Sequence, residues 1–406
     1  MLQSSRKRGD KVKRTIKTDF KCSRENLDKL FACNRISAMV YNKVLDLQKE
    51  YRKDHNGEWI SDKELFEATK GIYAINSQSV QAVVQKYLAA RAATKLARDK
   101  GLRNQYPWRH KKSYTTTWKA NGFKLINSKL LLSLATFNGK RQTPIEVKLP
   151  KSTIKFLSDK KLQQISLIWD NHLKLAIVYE DNIKSAEKVD NSNSCGVDLG
   201  EIHSITAFSE DGSAIIITGR YLRSINRYQI KETAKLSKLM SRCKKYSRRW
   251  LRLRKAKRKL LDKTNNQIRD CNHKITRAFV KWAVAHNISK VYVGDVEGVQ
   301  RNTRKKKHKH TRQKLSRWNF GKHLEYLKYK LETVGIELVK ISEAYSTQTC
   351  PHCGRRRKCN SRNYSCQCGY KAHRDIHGAR NILSLAKFGR FEIETPIKEE
   401  TYLRTA

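Results

Sequence analysis

The chain of 406 residues holds 87 lysines and arginines against 37 aspartates and glutamates, a formal net charge of +50, and 38% of it is hydrophobic. A compact chain with that surplus repels itself unless a polyanion neutralises it, so RNA or DNA is the expected partner, while the apolar content suffices for two or three domains and argues against general disorder. No run of about 18 apolar residues and no leader with an apolar core is evident, so no membrane partner is expected and the expected compartment is the cytosol.

Residues 12 to 20 alternate as a strand does, and Ser23 fits the N-cap of a helix with Leu27, Leu30, Phe31, Tyr41, Val44 and Leu45 at roughly helical spacing. Ser61 with Glu64 has capping-box spacing, and after Asn76 a longer helix carries Val80, Val83, Val84, Tyr87, Leu88 and Leu96 before closing near Gly101. Between Tyr106 and Trp118 aromatic residues interleave with Arg109, His110, Lys111 and Lys112, a pattern that suits either nucleic-acid stacking or a solvated loop with packing aromatics. Strand-like runs at 123–134, 144–149, 163–169 and 173–180 predict a small antiparallel barrel or sheet completed by the N-terminal strand, with the helical module inserted into it.

A polar linker at 181–194 leads into a second region. There an apolar strand is expected to run from Cys195 through Asp198 and Ile202 to Phe208, turn at Asp211-Gly212 and return from Ala214 to Thr218. Residues 222–286 are basic and proline-free, which predicts a helical hairpin; Ile288 to Val293 is a buried-type strand, 304–310 a basic run readable as a solvated loop, Trp318 to Thr333 a helix and Ile336 to Ile341 a strand. Strands alternating with helices are an α/β signature. The last residues, 389–406, with Glu392, Glu394, Glu399 and Glu400, read as a disordered tail.

Five of the ten cysteines crowd between 350 and 368. Cys350 and Cys353, then Cys366 and Cys368, supply four soft ligands for tetrahedral zinc, and a closed four-thiolate shell implies a structural rather than catalytic ion. The one-residue spacer of the second pair leaves Cys359 as an alternative ligand. Two-metal phosphodiester hydrolysis needs carboxylates converging from separate elements. Asp198, in an apolar strand, and Asp375, in a first helical turn, are candidates; a turn residue and a dipole-facing cap are their plainer readings.

The order of these features, ending in His373-Arg374-Asp375-Ile376-His377-Gly378-Ala379-Arg380-Asn381, resembles the TnpB family: transposon-encoded RuvC-like RNA-guided nucleases related to small type V CRISPR effectors and Fanzor proteins. The resemblance is carried by Cys195 to Leu385 and, further upstream, by layout. It implies a multidomain α+β chain: a wedge-type β-barrel (1–22 and 112–190) with a helical recognition insert (23–111), then a RuvC/RNase-H-like α/β nuclease domain (191–349 and 369–388, with the basic insertion 222–286) that holds a zinc knuckle (350–368). It assigns Asp198 and Asp375 as catalytic ligands of Mg2+ or Mn2+. Many members place the third carboxylate at the position of Gly294; here Glu343, ending the neighbouring strand, is the preferred replacement, as in a subset of the family, with Glu297 the alternative and Asp295 expected to face away. A guide RNA and double-stranded target DNA are the implied partners, with one or two copies per guide. A catalytically inactive RNA-guided repressor and a transposase accessory protein are the other functions consistent with this layout.

Overall fold

A computed structural model of the chain describes residues 13–137, 139–170, 172–181, 193–296, 308–359, 361–392 and 395–404. It divides into two compact units, Met1–Lys184 and Ser185–Ala406.

The first unit runs β1 (Lys13–Thr18), α1 (Arg24–Asp54), α2 (Asp62–Glu67), α3 (Ser77–Asp99), β2 (Thr116–Lys119), β3 (Phe123–Ile126), β4 (Lys129–Leu132), β5 (Thr136–Phe137), β6 (Lys140–Arg141), β7 (Ile145–Lys148), α4 (Lys151–Leu157), β8 (Lys161–Asp170) and β9 (His172–Glu180). The helices start where side-chain chemistry allows: Ser23 accepts from Asn26 N–H at α1, and Ser61 and Glu64 form a reciprocal capping box at α2. A four-stranded antiparallel sheet ordered β1-β9-β8-β2 and a three-stranded sheet ordered β3-β4-β7 share one apolar core with α1 and α3, and an antiparallel bridge between Lys21 and Lys148 links the sheets' ends. In the aromatic-basic stretch, Tyr114 stacks on Tyr41 at 4.8 Å as a packing residue, whereas Trp108 stays exposed beside Arg109.

The second unit is a six-stranded sheet ordered β14-β13-β10-β11-β12-β17 with helices on both faces. Its elements are β10 (Ser194–Asp198), β11 (His203–Ser209), β12 (Ser213–Thr218), α5 (Arg220–Ser241), α6 (Arg248–Ala285), β13 (Lys290–Gly294), α7 (Lys309–Ser316), α8 (Phe320–Thr333), β14 (Glu337–Ile341), β15 (Asn363–Ser365), β16 (Lys371–His373), α9 (Arg374–Phe388) and β17 (Glu399–Arg404). β10, β13 and β14 are parallel, and β10, β11 and β12 form an antiparallel meander. Ile215 and Ile217 face α6 and α8 while Ala214 and Ile216 face α9, so β12 is apolar on both sides, as a strand covered on both faces must be.

Two expectations are corrected. The single strand expected from Cys195 to Phe208 is two antiparallel strands that reverse between Leu199 and Ile202; apolar residues on both sides of the bend hide it, and only Gly200 marks it. The segment expected to be a disordered tail returns to the sheet: Thr401, Tyr402 and Leu403 have strand-forming side chains, and β17 pairs parallel to β12 from Glu399 opposite Ser213 to Arg404 opposite Thr218. The basic run at 304–307, Glu297 and Glu394 lie outside the described residues.

Candidate active site

Strand β10 ends at Asp198 beside β13, whose last residue, Gly294, pairs with Ile341 of β14. Glu343 follows two residues later. A Cβ built on Gly294 would lie 2.7 Å from Glu343 Oε2 and 2.9 Å from Ile382 Cδ1, so the Glu343 carboxylate fills the space a side chain at 294 would need. Helix α9 lies directly on β10: a Cβ on Gly196 would run into the Ala379 carbonyl and 2.6 Å from Leu383 N. That close approach sets Asp198 Oδ2 3.0 Å from the Cβ position of Gly378, one helical turn from Asp375.

The electrostatics agree with this convergence. Loss of hydration, reinforced by the charges of Asp375 and Glu343, pushes the Asp198 carboxyl up to about 8. Burial and then the Asp295 charge raise Glu343. Burial also works to raise Asp375, but the hydrogen bond and charge of His203, with Arg362 and His373, outweigh it and hold this carboxyl below its usual range. His203 Nδ1 is 2.6 Å from Asp375 Oδ2, Arg362 donates to the same oxygen at 3.1 Å, and Arg374 Nε is 3.6 Å from Oδ1. Asp375 N–H donates to His373 Nδ1 at 3.3 Å, so His373 caps α9 and the Asp375 carboxylate is left to the site. Asn381, fully buried, donates to the Ser346 and Thr349 carbonyls at 2.6 and 2.8 Å, fixing the loop that carries Glu343.

The sequence-derived trio of Asp198, Glu343 and Asp375 is therefore brought together, with Asp295 close enough to act on Glu343. Sequence reasoning missed His203, Arg362 and Asn381. His203 alone left a signal, a titratable side chain at the head of an otherwise uncharged strand. Three oxygen-donor carboxylates, one of them kept from ionising chiefly by burial and further by the charges of the other two, suit a hard divalent cation, which relieves that repulsion.

In the cysteine cluster, Cys350, Cys353, Cys366 and Cys368 place their sulfurs within 4.8 Å of one another. Cys350 Sγ is 3.6 Å from Cys368 Sγ and Cys353 Sγ is 3.5 Å from Cys366 Sγ, near the roughly 3.8 Å edge of a tetrahedron with zinc–sulfur bonds of about 2.3 Å. The donor set fits zinc. Cys359 is not part of it; its thiol meets Ser361 and the Asn363 carbonyl.

Fold and site together define a class: the chain has the α+β multidomain fold of the compact Cas12 effectors. A structure of a Cas12f1–sgRNA–target DNA complex is similar with a TM-score of 0.63 at 12% identity, over 92% of this chain and 98% of that one. The family description "Probable transposase" matches residues 176–300, which contain Asp198, and "Cas12f1-like, TNB domain" matches 320–382, which contain Glu343, the cysteines and Asp375. TnpB-like protein L79 of Acanthamoeba polyphaga mimivirus is 25% identical over 225 residues, 54% of this chain and 43% of that protein. CRISPR-associated endodeoxyribonuclease Cas12f1 of Sulfoacidibacillus thermotolerans is 27% identical over 127 residues, 30% of this chain and 28% of that one. The chain thus spans less than half the length of these two relatives. These matches support a member of the TnpB family.

Proposed function

We propose that this chain is an RNA-guided DNA endonuclease of the TnpB type, cutting double-stranded DNA beside a short flanking motif by divalent-metal-dependent phosphodiester hydrolysis. The observation that carries this reading is the convergence of Asp198, Glu343 and Asp375 from the end of β10, the end of β14 and the start of α9, with Gly294 leaving room for Glu343. The strand order β12-β11-β10-β13-β14, with its antiparallel meander and two parallel strands, supports a RuvC or RNase-H-like assignment. The linked sheets of the first unit, with α1 to α3 between β1 and β2, support a wedge-type barrel carrying a recognition insert. Relatives named as an endodeoxyribonuclease and seen with guide RNA and target DNA support the partners.

Asp198, Glu343 and Asp375 would hold Mg2+ or Mn2+. Such ions activate water and neutralise charge on the leaving oxygen. The chain's own contribution is positional: His203 orients the Asp375 carboxylate from behind, and Asn381 holds the Glu343 loop. The four cysteines would hold a structural zinc that fixes the chain between β14 and α9.

The test is to co-express the protein with its native flanking DNA, sequence the RNA that co-purifies, and assay plasmid cleavage with Mg2+. One discrete RNA and cleavage of the matching target are expected, with Glu343→Ala lowering cleavage by roughly a thousandfold while RNA retention is unchanged. A discrete RNA without metal-dependent cleavage by the parent protein would replace this reading with an RNA-guided binder, and parental cleavage by Glu343→Ala would remove Glu343 from the site.

A further inference from the structure

A cavity of about 430 Å³ opens in the second unit between α5 and the α7–α8 segment, within the roughly 300–1,000 Å³ range of small-molecule sites. Its floor is apolar, built from Leu222, Ile230 and Trp318. His323 also lines it; burial holds this imidazole down to about 4, so it is neutral, and its Nδ1 has no hydrogen-bond partner while Nε2 meets Asn272 Oδ1 at 3.0 Å. The rim is cationic. Arg223 is matched by Glu201 at 2.9 Å, and Arg317 donates to the Gln229 amide at 3.0 Å, which fixes its place without neutralising its charge. Arg227, Lys231 and Lys314 are exposed and have no carboxylate partner among the described residues. An apolar slot under unmatched cations is complementary to a ligand with a flat uncharged part and anionic flanks. Trp318 Nε1 donates to the Gly200 carbonyl at 2.9 Å, which ties the cavity wall to the turn two residues beyond Asp198.

We propose that this cavity receives one nucleotide of a nucleic-acid strand, the base entering beside Trp318 over Leu222 and Ile230, with flanking phosphates on Arg227, Lys231 and Lys314. The proposal rests on the reading of the chain as an enzyme acting on nucleic acid, and it makes the cavity a clamp that sets the strand's register relative to Asp198. The chemistry is shared by DNA and RNA, so both are tested.

The full chain with its co-purified RNA is irradiated with strands carrying 5-iodouracil at successive positions, in separate DNA and RNA series, and digested with trypsin. The peptide Trp318–Lys322, bounded by Arg317 and Lys322, should carry the cross-link at one or two adjacent positions, in the DNA series if the occupant is target and in the RNA series if it is guide. Asn226→Trp fills the cavity without removing a packing group and should reduce that cross-link by roughly tenfold. Should this variant melt early, the triple variant Arg227→Ala/Lys231→Ala/Lys314→Ala reads the same site: the slope of log affinity against log salt should flatten by about 2 for a single strand. No cross-link to this peptide in either series, an unchanged cross-link in well-folded Asn226→Trp, or an unchanged slope would each overturn the proposal. Cross-linking is read without turnover, so a protein that cleaves nothing but cross-links here refutes the nuclease reading and keeps the cavity.

Discussion

Gly294 and Glu343 occupy one volume between them. With Glu343 Oε2 standing 2.7 Å from where a Cβ at 294 would be, an acid supplied by β13 and an acid supplied beyond β14 are alternatives rather than additions. Asp295 is placed differently: its neighbour's vacant position, not its own, opens on the Glu343 carboxylate. Gly294→Glu alone should therefore lose cleavage, because overpacking costs about 1–3 kcal/mol and displaces Glu343. Gly294→Glu combined with Glu343→Ala should recover a measurable part of what Glu343→Ala loses, in the plasmid assay with Mg2+. Ile382 Cδ1, 2.9 Å from the new Cβ, must still give way, so recovery is expected to be partial. A double variant as inactive as Glu343→Ala would mean that the two positions do not present a carboxylate to the same place.

Strand β17 shows how far an element's role can lie from its own sequence. Leu403 packs on the core shared with α6 and α8, and Tyr402 meets the His203 ring edge-on at 5.8 Å, so this strand backs the histidine that holds Asp375. Leu403→Ala, removing a half-buried side chain, should cost about 1–2 kcal/mol, or about 2–8 °C in melting temperature for a unit of this size. Deleting residues 399–406 should cost more and expose β12 as an apolar edge, so light scattering should rise on heating; equal melting curves would place β17 outside the cooperative unit. Glu399 and Glu400 concealed this strand from the sequence because strand pairing across some 180 residues leaves no local trace. Legible features were those whose cause is local: the Ser23 cap, the Ser61–Glu64 box, the α5–α6 hairpin and the cysteine spacings. The contacts of Asp375 with His203 and Arg362 were not legible, since they depend on which strand and which knuckle the fold lays over α9.

Opposing titrations should give the metal-free protein a stability maximum. Asp198 is raised to about 8, so the folded state holds a proton the unfolded state lacks between the ordinary 3.8 and 8; its ionisation destabilises the fold as pH rises through that window. Glu343, also raised, acts in the same direction. Burial lowers His323 and His377 to about 4, the latter stacked on Tyr364 at 4.0 Å, so both are neutral in the fold and stability is lost as pH falls from 6.5 to 4. At about 1.36 kcal/mol per proton and pH unit, Asp198 alone adds about 2 kcal/mol between pH 8 and 6.5. Below 6.5 His323 and His377, joined by His273 and His373, which burial also lowers, oppose Asp198 and Glu343, so stability falls as pH drops, and each added proton also increases the repulsion of a chain already at +50. Urea unfolding in chelator at pH 8, 6.5, 5 and 4.5 should thus peak near 6.5. Asp198→Asn should flatten the alkaline limb and His377→Gln should shallow the acid one. A curve that rises steadily to pH 8 would show that the Asp198 carboxylate is not crowded, removing the electrostatic argument for a cation among these three acids.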